Sequence, residues 1–176
     1  MRSDAELIQL LRQGSRQAFA DVYERHKSAI YRYCLRMLAD ADAAEDATHD
    51  TFLKMYANTE QLHNAESFAS WLFRIARNEV FMVLRRKKRN GTHSDDTVWD
   101  ELTPHEILVS TETTELVQKI LQNLKSEYRE VVLLREYEQL SYAQIAEITG
   151  DTESSVKSRL FKARQALAKK LRTYYQ

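Results

Sequence analysis

The sequence predicts an all-α protein, in which two small helical domains are joined by an acidic linker and the C-terminal domain contains a helix-turn-helix. The 176 residues include one proline and three glycines, so few positions interrupt a helix. Apolar residues recur at spacings of three and four, as in helices with one buried face. With 43% apolar and 30% charged residues, the composition is that of a folded soluble protein. We place the domains at residues 1–90 and 113–176, each with its own modest core, and the linker at residues 91–112.

Two helices are predicted before residue 40. Ser3 and Glu6 have the spacing of a capping box, in which each side chain accepts the other residue's backbone N–H, and Gly14 suits the end of this helix. Ser15 can then cap a longer helix. The residues of this second helix expected to face inward are Phe19, Val22, Tyr23, His26, Ile30, Tyr33, Cys34, Met37 and Leu38.

Two further helices complete the predicted N-terminal domain. Asp42 and Glu45 again have capping-box spacing and predict a helix that reaches about Tyr56. Residues 57–67 are polar and predict a loop, after which Ser67 can cap the fourth helix. The inward residues of these two helices are expected to be Ala47, Thr51, Phe52, Met55, Phe68, Trp71, Leu72, Ile75, Ala76, Val83 and Leu84.

The predicted C-terminal domain ends in the most informative segment of the chain, residues 141–164. Ala146 is small enough for two helices to cross closely, Gly150 supplies a sharp turn, and Val156 can plug the second helix onto the first. This spacing is typical of a helix-turn-helix that reads DNA. Two helices are predicted before it from these apolar residues: Leu116, Ile120, Leu121 and Leu124 in one, then Tyr128, Val131, Val132 and Leu134 in the other.

The formal net charge of zero conceals a strong partition along the chain. Residues 68–89 carry a net charge of +6, residues 90–112 carry −6 with no Lys or Arg, and residues 153–176 return to +6. Two cationic helices therefore flank an anionic connector. Separated basic faces of this kind indicate two contacts along a polyanion.

The first cationic helix interleaves aromatic residues with arginines, as SFASWLFRIARNEVFMVLRRKKR. Only opened DNA strands expose base faces that can stack on aromatic rings, so this pattern suits melted DNA. The alternative is that Phe68, Trp71 and Phe73 belong to the core, and on spacing alone this alternative is favoured for Trp71.

Several classes of function and location are not indicated. Cys34 is the only cysteine, which excludes an intramolecular disulfide and favours a small buried hydrophobic residue in a reducing compartment. Because we find no membrane-length apolar run and no secretion signal, we expect a cytoplasmic protein without direct membrane insertion. We also find no nucleophile constellation and no phosphate-binding glycine loop, and therefore predict no intrinsic catalysis, no cofactor and no metal.

Three blocks of sequence, in this order, resemble the extracytoplasmic-function (ECF) type of bacterial RNA polymerase sigma factor. They are AAEDATHDTFLKMY at 43–56, SFASWLFRIARNEVFMVLRR at 67–86 and LSYAQIAEITGDTESSVKSRLFKARQAL at 140–167. The resemblance implies a specificity subunit that binds core RNA polymerase and promoter DNA, recognises the upstream and downstream promoter elements, and helps to melt the DNA. It also implies an anti-sigma factor as a further partner.

The resemblance assigns a role to particular residues of each block. The first block would bind core polymerase through Glu45, Asp46, His49, Asp50, Phe52 and Lys54. The second would open and read the downstream promoter element through His63, Asn64, Ala65, Ser70, Trp71, Arg74, Arg77 and Asn78. The third would read the upstream promoter element from the major groove through Ser154, Ser155, Lys157, Ser158 and Arg159.

Four positions depart from the pattern of the family. His49 stands where glutamine is common, and Met82 stands where an aspartate commonly precedes the arginine run. Asp151 and Thr152 replace the usual apolar residue and proline of the turn, although the hydroxyl of Thr152 can still cap the recognition helix.

Two other functions are compatible with parts of the sequence. The first is a stand-alone helix-turn-helix transcriptional regulator, which would bind a palindromic site as a dimer without polymerase. The second is a metal site in a helical bundle, since Asp46 and His49 have the spacing of a carboxylate–histidine pair. A di-iron bundle requires a second copy of that pair, and we find none.

Overall fold

The computed structural model describes residues 3–61, 67–91 and 113–174. Within these ranges the chain is helical and has no strand, which confirms the predicted all-α class. The predicted linker, apart from Gly91, lies outside the described residues. In the same ranges, no helix is both long enough and apolar enough to cross a membrane.

Helices α1 (Asp4–Arg12) and α2 (Arg16–Leu38) begin where the sequence predicts. The capping box is formed, because the Ser3 hydroxyl accepts the backbone N–H of Glu6 while the Glu6 carboxylate accepts that of Ser3. The hydroxyl of Ser15 accepts the backbone N–H of Ala18 at 3.2 Å and caps α2. Between the two helices, Gly14 has a φ of +78°, which a residue with a Cβ adopts only with strain.

Helix α3 (Ala41–Ala57) begins one residue before Asp42, so the predicted capping box of Asp42 and Glu45 is wrong. The cap is Asp40, whose carboxylate accepts the backbone N–H of Ala43 at 3.0 Å and also pairs with Lys87. These two contacts, the backbone N–H first, lower the pKa of Asp40. A carboxylate at this position is further favoured by the positive end of the helix dipole.

Helix α4 (Phe68–Arg89) follows a 3-10 turn at Thr59–Gln61, which occupies part of the predicted polar loop. Ser67 stands at the predicted N-cap position, but its hydroxyl makes no capping hydrogen bond. α4 packs on α3 and α2, and its buried Glu79 pairs with Lys54 of α3 at 2.5 Å.

The C-terminal half forms the predicted helices and the helix-turn-helix. The short second helix, however, continues without a break into a π-helical turn, which sequence periodicity does not predict. The elements are α5 (Thr113–Gln122), α6 (Ser126–Val132), the π-helical turn Leu133–Tyr137, α7 (Tyr142–Thr149) and α8 (Glu153–Tyr174).

The two halves share one continuous apolar core, which differs from the two separate cores that the sequence predicts. α2 contacts α5, α6 and the π-helical turn, and α4 packs along α7. The reason is that α2 and α4 bury residues on more than one side, so they fill the N-terminal core and still offer a surface to the second half. Examples are Tyr33 and Phe73, whose rings meet edge to face at 5.7 Å, and Val132 and Leu134 from the C-terminal half.

Candidate nucleic-acid interface

The helix-turn-helix is built by three local features. Gly150 ends α7 with a φ of +73°, in the left-handed region where a side chain would be strained. The hydroxyl of Thr152 accepts the backbone N–H of Ser155 at 3.2 Å, which confirms the cap predicted for α8. Val156 is fully buried and Ala146 is 8% exposed, so the two helices cross closely at the positions predicted from the sequence.

The first two turns of α8 leave a polar and cationic face open. Ser154, Lys157 and Ser158 are exposed, and Ser155 is half-buried. Lys157 lies 3.9 Å from Glu153 and its ammonium stands 5.2 Å from the ring centre of Tyr142. These contacts are weak at an exposed site, so the ammonium remains available to a phosphate.

Arg159 is held more firmly than the others. Its two terminal nitrogens reach the two carboxylate oxygens of Asp151 at 2.6 and 3.1 Å. This bidentate pair is possible because Asp151 occupies the turn one residue after Gly150. Asp151 is one of the departures from the family pattern, and its carboxylate fixes the orientation of the Arg159 guanidinium.

Phe161 is an exposed residue that sequence reasoning missed. It is 62% exposed and lies one helical turn beyond Lys157 and Ser158, on the same face of α8. The apolar periodicity of the sequence does not reveal this exposure, because Phe161 follows the buried Leu160 and would be assigned to the same apolar stripe. A large exposed apolar side chain beside a cationic face points to a contact surface.

The α4 residues named by the family resemblance divide into exposed and buried groups. Arg74 and Asn78 are exposed, whereas Ser70 is 1% and Trp71 is 5% exposed. The core interpretation of Trp71, favoured on spacing alone, therefore agrees with its burial. The other three predicted residues, His63, Asn64 and Ala65, lie outside the described residues.

Arg77 of α4 is turned toward the C-terminal half. Its Nε donates to the carboxylate of Glu130 at 2.7 Å, and its guanidinium lies 4.5 Å from the ring centre of Phe81. The side chain is 22% exposed. Arg77 is thus held against α6, whereas Arg74 on the preceding turn of α4 is exposed.

On α3, the predicted polymerase-binding residues also fall into two groups. Glu45, Asp46, His49, Asp50 and Lys54 are exposed. Phe52 is 1% exposed and packs edge to face on Tyr23 with ring centres 4.8 Å apart, so it belongs to the core.

Two exposed apolar residues of α3 extend the same surface and were missed by sequence reasoning. Leu53 is 51% exposed and Tyr56 is 44% exposed. The only sequence signal is that Leu53 falls outside the inward stripe of Phe52 and Met55. Glu45, Asp46 and His49 also line a groove with residues of α2.

Other titratable groups of the N-terminal half have structural environments. Burial raises the pKa of Cys34 to about 12, so the thiol is inert at neutral pH. Burial has the opposite effect on His26, because it disfavours the charged imidazolium and so lowers the pKa. The His26 ring meets the Phe68 ring edge to face. In the described part of the chain, His, Cys, Asp and Glu side chains do not gather in threes in a way that could hold a metal ion.

Both halves of the chain match known protein families. Residues 22–90 match Sigma-70 region 2, and residues 114–167 match Sigma-70, region 4. The chain is 32% identical over 177 residues to the ECF RNA polymerase sigma factor SigW of Bacillus subtilis, with 94% of this chain and 95% of that protein covered. The chain belongs to the ECF sigma factor family. This ECF sigma factor therefore has a role in promoter-directed transcription initiation.

Other similar proteins carry related names. This ECF sigma factor is 34% identical over 150 residues to the ECF RNA polymerase sigma factor SigL of Mycobacterium tuberculosis, covering 83% of this chain and 84% of that one.

Among solved structures, CnrH in complex with the cytosolic domain of CnrY superposes with a TM-score of 0.75 at 22% identity, covering 98% of this chain and 99% of that one. The sigma factor RpoE in complex with the anti-sigma factor NepR, from Bartonella quintana, superposes with a TM-score of 0.71 at 26% identity, covering 88% and 96%.

Proposed function

We propose that this ECF sigma factor binds core RNA polymerase, directs it to a subset of promoters through both promoter elements, and helps to open the duplex. The observation that carries the proposal is the presence of two separate basic helical faces on one chain, on α4 and on the recognition helix α8. The polymerase performs nucleotidyl transfer, and the sigma factor supplies sequence specificity.

The upstream element is read by the start of α8 in the major groove. Ser154, Ser155 and Ser158 supply short hydroxyls for base edges or phosphates, and Lys157 supplies a charge for the backbone. Arg159 reads guanine through N–H groups of its guanidinium. Phe161, on the same face, extends the contact with an apolar surface.

The downstream element is opened and read by α4 and the segment before it. Arg74 and Asn78 are exposed on one face of α4, and Arg77 joins them when its contact with Glu130 is released. Ser70 and Trp71 are buried, so they act by positioning this face. The preceding residues His63, Asn64 and Ala65 complete the proposed contact.

Core polymerase is bound by the exposed surface of α3. Glu45, Asp46, His49, Asp50 and Lys54 provide its polar part, while Leu53 and Tyr56 provide apolar area of the kind that stabilises interfaces. Phe52 supports this surface from the core, because its ring fixes α3 against α2.

The recognition helix alone would bind DNA weakly, so tight promoter binding requires that the sigma factor is mounted on core polymerase. Arg159 and Arg164 are paired with Asp151 and Glu136. If only Lys157 and Lys162 meet phosphates, the dependence of log K on log salt has a slope of about −1.8. Mounting both basic faces on one polymerase raises the affinity through effective concentration.

An anti-sigma factor is proposed as a further partner. The two solved structures described above are complexes, one with the cytosolic domain of CnrY and one with the anti-sigma factor NepR. The superposition with RpoE from the NepR complex covers 88% of this chain, which supports the same kind of partner here.

Run-off transcription with purified core polymerase tests the proposed function. Promoter-specific transcripts are expected only when the protein is present, and a variant with both Lys157→Ala and Ser158→Ala should lose them while still co-purifying with polymerase. Tight binding of a palindromic duplex as a dimer, with no effect on transcription start sites, would identify a stand-alone regulator instead.

A further inference from the structure

An ion pair links the turn of the helix-turn-helix to the second turn of α8. Nη1 of Arg159 lies 2.6 Å from one carboxylate oxygen of Asp151, and Nη2 donates to the other oxygen at 3.1 Å. Only 27% of the Arg159 side chain and 25% of the Asp151 side chain are exposed, so water competes little for these contacts. Two parallel hydrogen bonds of this kind fix the plane of the guanidinium as well as its position.

The ion pair leaves one edge of the guanidinium available. A guanidinium carries five N–H donors in a rigid planar fork. Asp151 occupies the end of the fork, where Nη1 and Nη2 lie side by side. The side edge, formed by Nε–H and the second N–H of Nη2, is not engaged by Asp151. Its two parallel donors match the O6 and N7 acceptors of guanine, so Arg159 can meet a guanine while it stays paired with Asp151.

The ion pair also holds the guanidinium near the end of α8 that enters the major groove. The N-terminal residues of a recognition helix are those that contact base edges. Arg159 is the seventh residue of α8, whereas Asp151 lies two residues before the first, Glu153. The contact with Asp151 therefore draws the guanidinium back toward the start of the helix.

The charge of Asp151 favours a base over a phosphate as the partner of Arg159. An unpaired arginine also binds phosphates, and phosphate contacts carry no sequence information directly. Beside Asp151, a phosphate would meet a like charge, whereas the acceptor edge of guanine has no net charge. Because the long arginine side chain is already ordered before DNA binds, less conformational entropy is lost on contact with the base.

We infer that Asp151 is a positioning residue for promoter recognition, which holds Arg159 so that the side edge of its guanidinium reads one guanine of the upstream element. This inference rests on the proposed role of Arg159 and adds the residue that sets its selectivity. Asp151 stands where the family usually has an apolar residue, which could not form this pair. The positioning is therefore a property of this chain.

The test measures the preference for each base pair rather than affinity alone. Holoenzyme is reconstituted from core polymerase and each full-length variant, and the duplexes that it binds from a random-sequence pool are sequenced. Asp151→Asn removes the charge and one of the two acceptors. Glu153→Gln is the matched control, because it removes one negative charge two residues away from a side chain that lies 3.9 Å from Lys157 and outside the ion pair.

The unaltered protein and Glu153→Gln should prefer guanine at one position of the selected sequence by about 5- to 100-fold. Asp151→Asn should reduce this preference to about twofold or less and leave the preferences at the other positions unchanged. An unchanged preference for that guanine would overturn the inference. Equal weakening on every duplex would also overturn it, because that result assigns Asp151 to the stability of the turn.

Arg159→Ala and the double variant show whether Asp151 acts through Arg159. Arg159→Ala should lose the same preference, and the addition of Asp151→Asn should change nothing further at that base pair. A further loss in the double variant would overturn the inference. If Arg159→Ala keeps every preference, the proposed reading of guanine by Arg159 fails as well; if only Asp151→Asn keeps them, the positioning role alone fails.

Arg159→Lys tests the same geometry without a change in the turn. Lysine keeps the charge but lacks the planar fork, so this variant should lose the guanine preference as Asp151→Asn does. If Asp151→Asn lacks helical circular dichroism, Arg159→Lys decides the question. A guanine preference retained by Arg159→Lys would overturn the inference.

Discussion

Phe52 and Leu53 are neighbours in the sequence of α3 but differ in exposure, and replacing each in turn separates folding from polymerase binding. Phe52 is 1% exposed, whereas Leu53 is 51% exposed. We predict that Phe52→Ala destabilises the protein with its surface chemistry unchanged, and that Leu53→Ser weakens polymerase binding with the fold retained. Both residues belong to the same helical turn, so each variant is a control for the other.

The structure sets the size of each effect. Truncation of a buried phenylalanine costs about 3 to 5 kcal/mol, and the lost edge-to-face contact with Tyr23 places Phe52→Ala within that range. For a protein of this size, the midpoint of thermal unfolding should fall by roughly 6 to 20 °C. Leu53 already exposes half of its side chain, so Leu53→Ser should cost about 1 kcal/mol or less.

Thermal unfolding by circular dichroism and competition for core polymerase against a fluorescent copy of the protein measure the two effects. Leu53→Ser should raise the Kd for polymerase by about tenfold, equivalent to 1.4 kcal/mol. A Leu53→Ser variant that binds polymerase normally would remove Leu53 from the proposed surface. A Phe52→Ala variant with an unchanged unfolding midpoint would contradict its assignment to the core.

Three further substitutions have defined outcomes. Arg159→Ala should weaken upstream-element binding by roughly 1 to 3 kcal/mol, with the loss at one base pair in titrations of substituted duplexes; an equal loss on every sequence would indicate phosphate contact instead. Arg77→Ala should impair open-complex formation, measured by permanganate reactivity, more on duplex than on pre-melted promoters, and an identical defect on both would contradict a melting role. Gly150→Ala should lower the unfolding midpoint by roughly 2 to 8 °C, because a φ of +73° costs a residue with a Cβ about 1 to 2 kcal/mol of backbone strain. The added Cβ would meet nothing within 4 Å, so no clash contributes, and an unchanged midpoint would refute the strain argument.

Prediction from sequence succeeded for features that depend on a few adjacent residues. Ser3, Ser15 and Thr152 cap their helices as predicted, since a cap needs only a hydroxyl two or three residues from a free N–H. The cap of α3 was misplaced because Asp40 and Asp42 are both suitable by type. The contact of Asp40 with Lys87, 47 residues away, is not visible in the local pattern.

The candidate surfaces were predicted only in outline, and their residue roles remain predictions. The helix-turn-helix and the two basic helices follow from local spacing and charge. The exposure of single apolar residues does not follow from them. Leu53 of α3 and Phe161 of α8 are exposed because no neighbouring helix of the described chain covers them, which the local pattern does not reveal.

The sequence by itself determined the helices, the turn between α7 and α8, and the alternation of basic and acidic segments, because these depend on residues within one or two helical turns. Only the tertiary structure decided that the two halves share a core and that Glu130 meets Arg77. That pair is separated by 53 residues, so its formation depends on how α2, α4 and α6 pack together. Local periodicity carries no information about such a distance.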